Sequence, residues 1–155
     1  MFADKVYDSM AAREILGLHK FLEDWLTGRC ANEDEVRSAR PLSRFTDDFH
    51  ITLPAGALLS GGGLWKPLRA ENGRNPTFKI NIKAIDQAAR LRNGVSVWTY
   101  EEWQLNALNA SRPGNGREAS VVFVEDPTTA TGLKWAHVHE TWLPAETIAA
   151  DAFDW

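Results

Sequence analysis

The stretch VSVWTYEEWQL, residues 95–105, decides the architecture, because its residues divide into two alternating sets. Val95, Val97, Thr99, Glu101 and Trp103 share one face of an extended strand, and Ser96, Trp98, Tyr100, Glu102 and Gln104 share the other. The alternation extends upstream, with Phe78, Ile80 and Ile82 set against Lys79, Asn81 and Lys83. Turn signals at Arg92-Asn93-Gly94, at 112–116 (RPGNG) and at Asp126-Pro127 divide the second half of the chain into four strands, near 77–91, 95–108, 117–125 and 132–143. Hairpin-length connections make these four an antiparallel meander.

Before residue 77 the period is different. Ile15, Leu18, Leu22 and Trp25 recur at helical spacing with Arg13, Lys20, Glu23 and Asp24 left for solvent, which predicts one long amphipathic helix over 6–27 closed by Gly28. Asn32 with Glu35 is a capping-box signal for a second helix carrying Val36, Ala39 and Leu42, kinked or ended near Pro41. Phe49, Ile51 and Leu53 alternate as a short strand before Pro54-Ala55-Gly56. Ser60 and three glycines then open a short helix through Leu64, Trp65 and Leu68, with Pro67 expected in its first turn and Gly73 closing it. Helices gathered on one side of an antiparallel sheet make an α+β fold.

The chain has 155 residues, enough for one compact domain with a core near 6–144 and a tail at 145–155. With 44% hydrophobic and 25% charged residues it is an ordinary globule, neither disordered nor collagen-like. Seventeen Lys and Arg against 21 Asp and Glu give a net charge of −4, so nucleic acid is not an expected partner. The longest apolar runs are a few residues, and MFADKVYDSM has neither the basic segment nor the apolar stretch of a secretory signal, so no membrane partner and a cytoplasmic location are expected. The one cysteine, Cys30, agrees with a reducing compartment. The surplus is aromatic: seven Trp, seven Phe and two Tyr.

The aliphatic count places Val95, Val97, Thr99, Glu101 and Trp103 toward the helices, together with Ala136, Val138, Glu140 and Trp142 of the last strand. Trp98, Tyr100, Trp135, His137 and His139 then lie on the opposite face, where a second subunit would cover them, and a homodimer is expected. A β-bulge would invert each assignment beyond it.

The order of elements, with WAHVHETW at 135–142 closing the last strand and WTYEEWQ at 98–104 two strands earlier, resembles the nuclear-transport-factor-2-like (NTF2-like) superfamily, in particular its small uncharacterised SnoaL-like members. The resemblance covers nearly the whole chain, from the helix at Leu18–Trp25 to Pro144. It implies a cone-shaped, strongly curved antiparallel sheet wrapped around the long first helix, with two further short helices and a pocket at the open end. Ketosteroid isomerase, polyketide cyclases, limonene epoxide hydrolase and the association domain of calcium/calmodulin-dependent protein kinase share that fold, so it does not carry one activity. The isomerase pattern needs a carboxylate base and a Tyr on one face, and the hydrolase pattern an Asp–Arg–Asp set; neither is met by the strand faces as assigned.

Several chemistries remain for the residues. Trp25, His50, Trp65, Glu101, Trp103, Glu140 and Trp142 are the expected pocket lining for a small apolar molecule, and Glu101 or Glu140 under a tryptophan wall is the candidate general base of an isomerase, cyclase or hydratase. The plainer alternatives are carboxylates paired with helix cations, or an assembly module with a vestigial pocket. His137 and His139 share a face at a spacing that metals use, but two ligands are not a site, and no metal or cofactor is expected. Ser60 to Gly63 lacks the phosphate-loop pattern. Cys30 reads as a filler at a helix junction, and the sequon at Asn109–Ser111 as a hairpin turn. The tail, ending in Phe153 and Trp155, is either an arm for a neighbouring subunit or a frayed terminus.

Overall fold

The computed structural model describes residues 9–30, 41–108 and 112–155. Helix α1 (Met10–Thr27) starts at Ser9, whose hydroxyl accepts from the Ala12 amide, and stops at Gly28, held at φ +83° where a side chain would be strained. Strand β1 (Phe45–Thr52), strand β2 (Leu58–Ser60) and helix α2 (Gly61–Arg69) follow. Then come β3 (Lys79–Arg90), β4 (Val95–Leu105), β5 (Asn115–Glu125), β6 (Leu133–Trp142) and a last helix α3 (Ala145–Ala150). The expected helix cap at Asn32 and Glu35, with Val36 and Ala39, and the sequon at 109–111 lie outside the described residues; residues 41–43 are helical. Pro67 stands in the last turn of α2 rather than its first, and that helix ends at Arg69, before Gly73.

The α+β fold is as the alternation predicts: one six-stranded sheet in the order β2-β1-β6-β5-β4-β3, with the meander intact. The Asn93-Gly94 pair, both at positive φ, turns β3 into β4. β1 closes the sheet by pairing in parallel with β6 and antiparallel with β2. Bulges curve the sheet around α1. One lies in β3 between Lys83 and Asp86, with Ala84 at φ +55°, and one in β6 at Ala136, because Phe123 faces Trp135 while Val122 faces His137.

Register across the sheet corrects the face assignment: Val138 pairs with Val121 and Val121 with Trp98, so these three share one face, and the Ala136 bulge brings Trp135 onto it. Trp135 and Val138 both point into the core, three residues apart, and neighbouring Trp98 and Tyr100 of β4 join them against Ile15 and Leu18 of α1. The even-numbered face of β4 is therefore the helix-covered one, opposite to the expectation from aliphatic count. Trp98, Tyr100 and Trp135 are core residues and not an interface; only His137 and His139 remain on the outer face. A buried tryptophan removes more apolar area from water than a valine does, so area and not number decides the face.

The tail is neither frayed nor extended. Phe153 meets Trp103 edge to face at 5.8 Å, and Lys83 bonds Asp151 at 2.8 Å while lying over the Trp103 ring. Trp103 thus lies on the outer face, roofed by the chain's own C-terminus. Beneath it Gly116 has no room for a side chain: a Cβ there would stand 2.9 Å from the indole. Gly116→Ala is expected to lower stability by about 1 to 3 kcal/mol through overpacking. Gly62→Ala, in α2 with nothing within 4 Å, leaves stability unchanged or raises it. Urea denaturation of both variants checks the pair.

Candidate functional site

Between α1 and the inner face of the sheet is a cavity of about 270 Å³. Its walls are apolar, from Leu18 and Leu22 of α1, Phe45, Phe49 and Ile51 of β1, and Leu64 and Leu68 of α2. Its inner end is not. His19, Tyr100, Glu102, Gln104, Arg117 and Glu140 all reach it, each for a local reason. His19 follows Leu18 on the buried stripe of α1, one turn after Ile15. Glu102 and Gln104 continue the inward set of β4 from Tyr100. Glu102 stands opposite Arg117, and Tyr100 and Glu140 stand on either side of Ala119.

The polar groups form one chain of contacts. The His19 Nδ1–H donates to the Ile15 carbonyl at 2.7 Å, and Nε2 lies 3.1 Å from Glu102 Oε2. A carbonyl accepts only, so both ring nitrogens face acceptors and the ring is an imidazolium beside a carboxylate. Glu102 Oε1 accepts from the Gln104 amide at 2.7 Å; Asn115 donates to Gln104 at 3.4 Å and accepts from Arg117 Nη2 at 3.1 Å. Arg117 Nη1 completes the chain on Glu140 Oε2 at 3.0 Å.

The two carboxyls are pushed apart. Burial works against ionising Glu102, but His19 and Arg117 outweigh it and hold the group at about 2. Glu140 has the same desolvation, and the nearby Glu102 charge adds to it; Arg117 offsets only part, so this carboxyl is raised to about 7. His19 is raised in spite of its own burial, by Glu102 above all. Burial and both carboxylates push the Tyr100 hydroxyl well above its usual value, so it is a donor at neutral pH. The result is a fixed ion pair, His19 with Glu102, beside a carboxyl that changes charge near neutrality.

Of the residues expected to line the pocket, the structure brings Glu140 to it. Glu101 faces outward and accepts from the Trp103 indole at 2.9 Å, so neither residue reaches the cavity. His50 is exposed on the outer face of β1. Trp25 and Trp65 pack against each other at 5.2 Å, behind the cavity wall, and Trp142 stacks on Arg117 at 5.0 Å beside the site. His19, Tyr100, Glu102 and Arg117 were not foreseen as pocket residues. His19 had a signal in its place on an apolar helix stripe; Glu102 and Tyr100 followed from the face of β4 once its tryptophan and tyrosine are weighed by area. Among the described residues no group of three or more His, Cys, Asp or Glu side chains is placed to hold a metal ion. No helix among them is long and apolar enough to cross a membrane.

Glu102→Gln removes the partner of a buried imidazolium and is expected to cost about 3 to 5 kcal/mol. It should also bring the His19 titration down, as followed by NMR of the ring protons. For Glu140 the folded-state value lies above the unfolded one of 4.5, so its contribution is complete below 4.5 and is lost as pH rises to about 7. Glu140→Gln should remove that decline from a stability profile between pH 4.5 and 7.5; an unaltered profile would contradict the assignment.

No family model matches the chain. Sucrose-phosphatase 2 of Nicotiana tabacum is 23% identical over 166 residues, covering 97% of this chain and 35% of that protein. The chain thus spans about a third of the length of the curated relatives it matches. Among solved structures, an NTF-2-like protein of unknown function from Pseudomonas aeruginosa superposes with a TM-score of 0.71 at 26% identity, over 87% of this chain and 99% of that one. A CaMKII hub from S. rosetta superposes with a TM-score of 0.57 at 17% identity, over 84% and 95% of the two chains, a likeness of fold alone. With a curved six-stranded sheet around its first long helix, the chain has the NTF2-like fold and is similar to NTF2-like proteins of unknown function.

Proposed function

We propose that the cone binds a small, largely apolar molecule whose polar group meets the charged inner end. The supporting observation is the cavity itself: apolar walls from three elements converge on Tyr100, Arg117 and Glu140. Apolar area removed from water supplies affinity, and a few convergent polar groups supply orientation. A module built for assembly alone has no use for a titrating carboxyl at the end of such a space. The sucrose-phosphatase likeness does not bring sucrose with it, because a disaccharide carries hydroxyls around its whole rim and these walls offer them no partners.

A second reading has its own observation. A carboxyl held at about 7 is matched to proton transfer at neutral pH, so Glu140 is the general base, and Tyr100 the donor, of an isomerase, cyclase or hydratase. Glu101 has no part in it. The hub likeness supports a homo-oligomer, which light scattering reads directly.

Binding of benzyl alcohol and indole, followed by calorimetry and thermal shift, tests the first reading. Val138→Phe, which fills the cavity, should abolish it without loss of fold; binding unchanged by that variant would place the ligand elsewhere. For the second reading, NMR in D₂O follows exchange of the protons next to the carbonyl of cyclohexanone. Exchange above the buffer rate that falls about 10²- to 10⁴-fold in Glu140→Gln supports a base. Exchange no faster than buffer retires the catalyst and leaves the binder.

A further inference from the structure

The charges at the inner end of the cavity define what kind of polar group it accepts. Two cations, His19 and Arg117, face two carboxyls, Glu102 and Glu140, so the set is neutral when both carboxyls are ionised. The four are not equivalent. Glu102 has a donor on each oxygen, His19 on one and Gln104 on the other. Glu140 has Arg117 on Oε2. Arg117 gives Nη1 to Glu140 and Nη2 to Asn115, and its Nε–H is buried with no hydrogen-bond partner among the described residues. A buried guanidinium donor without an acceptor is costly, and it lies on a residue that lines the cavity.

Nη1 and Nη2 each carry a second N–H beyond the bonds they make to Glu140 and Asn115, and an acceptor carried by the ligand would meet the guanidinium there. Resting on the small-molecule reading above, we infer that the occupant is an apolar monocarboxylate, received by Arg117 while Glu140 takes up a proton from solvent. The incoming anion replaces Glu140 as the second negative charge, and the set of groups stays neutral. Without the proton, three carboxylates would share two cations in a space walled by hydrocarbon. The proton goes to Glu140 and not to Glu102, because Glu102 is held ionised by His19. The other titratable groups facing Glu140 are His19 from α1, Tyr100 and Glu102 from β4 and Arg117 from β5; Tyr100 is neutral, and the facing parts of β1 and α2 are apolar.

Calorimetry of benzoate and hexanoate, run at each pH in two buffers of different ionisation enthalpy, reads the coupled proton directly. With Glu140 titrating at about 7, the complex should take up about one tenth of a proton at pH 6 and about nine tenths at pH 8, and affinity should fall about tenfold across that interval. Benzyl alcohol and benzamide, which bring no charge, should bind without that fall. Glu140→Gln, which mimics the protonated carboxyl, should lose both the proton uptake and the pH dependence of benzoate binding. Arg117→Met should lose benzoate and keep benzyl alcohol; if that variant does not fold, the buffer-dependent heats of the unaltered chain decide. Benzoate binding with no proton uptake at pH 8, or benzyl alcohol binding without benzoate at pH 6, overturns the carboxylate and leaves the apolar pocket standing. If neither class binds, both readings fall.

Discussion

Among the described residues helix α1 is the one long helix inside the curved sheet, and its buried face carries two side chains that water can no longer satisfy. Glu14 and His19 must therefore find partners on the sheet. Glu14 accepts from the Trp135 indole at 2.9 Å, from Thr131 at 2.8 Å and from Arg44 at 2.7 Å. His19 reaches Glu102. One anchor ties the helix to β6 and its preceding loop, and the other ties it to β4. Sliding the helix by one turn would leave a carboxylate and an imidazolium buried without partners, so these contacts specify its register more sharply than the leucines around them.

The cavity follows from the same constraint. His19 occupies a site where a leucine would have completed the apolar stripe, and its charge holds Glu102 ionised within the cone. Glu102 in turn keeps Glu140 from ionising easily. The raised titration of Glu140 in β6 comes first from burial, and the Glu102 charge in β4, held by His19 of α1, adds to it. Arg117 couples the two carboxyls, and the Trp142 ring against its guanidinium limits where that group can move. The site is a charge-balanced network with one soft member, a different arrangement from a lone carboxyl in oil.

Much of the fold was legible in the sequence because it is written in local chemistry. Alternation over 95–105, the Asn93-Gly94 turn, the Ser9 cap and the Gly28 stop each act within a few residues. The candidate site was legible only at Glu140. Which face of β4 turns inward depends on register across the sheet, Trp98 opposite Val121 and Val121 opposite Val138, and the bulge that brings Trp135 onto the same face, at Ala136, has no glycine to announce it. Counting valines favoured the wrong face; the area of Trp98 and Tyr100 favours the right one. The pairing of His19 with Glu102, 83 residues apart, depends on how far the sheet curves, which alternation does not encode.

The aromatic surplus has a different explanation from a second subunit. Trp98 and Trp135 fill the core, Trp25 and Trp65 join α1 to α2, Trp142 lies on Arg117, and Trp103 is roofed by Phe153 with Trp155 against that ring. The tail thus takes the part of the outer face that would otherwise be most apolar. What the central strands leave open there is Glu118, Ser120, His139 and Thr141, all exposed, with Val95, Val97, Thr99, Glu101, Val122, Val124 and His137 half-covered. Obligate dimer faces resemble a core cut in two, and this one does not. A homo-oligomer formed through the central sheet would bury half-covered valines among polar, hydrated neighbours or first lift the strap at Phe153. The sheet therefore meets its two surroundings with different chemistry: an apolar interior interrupted by one charged cluster, and an exterior of exposed polar side chains with half-covered valines and one buried tryptophan.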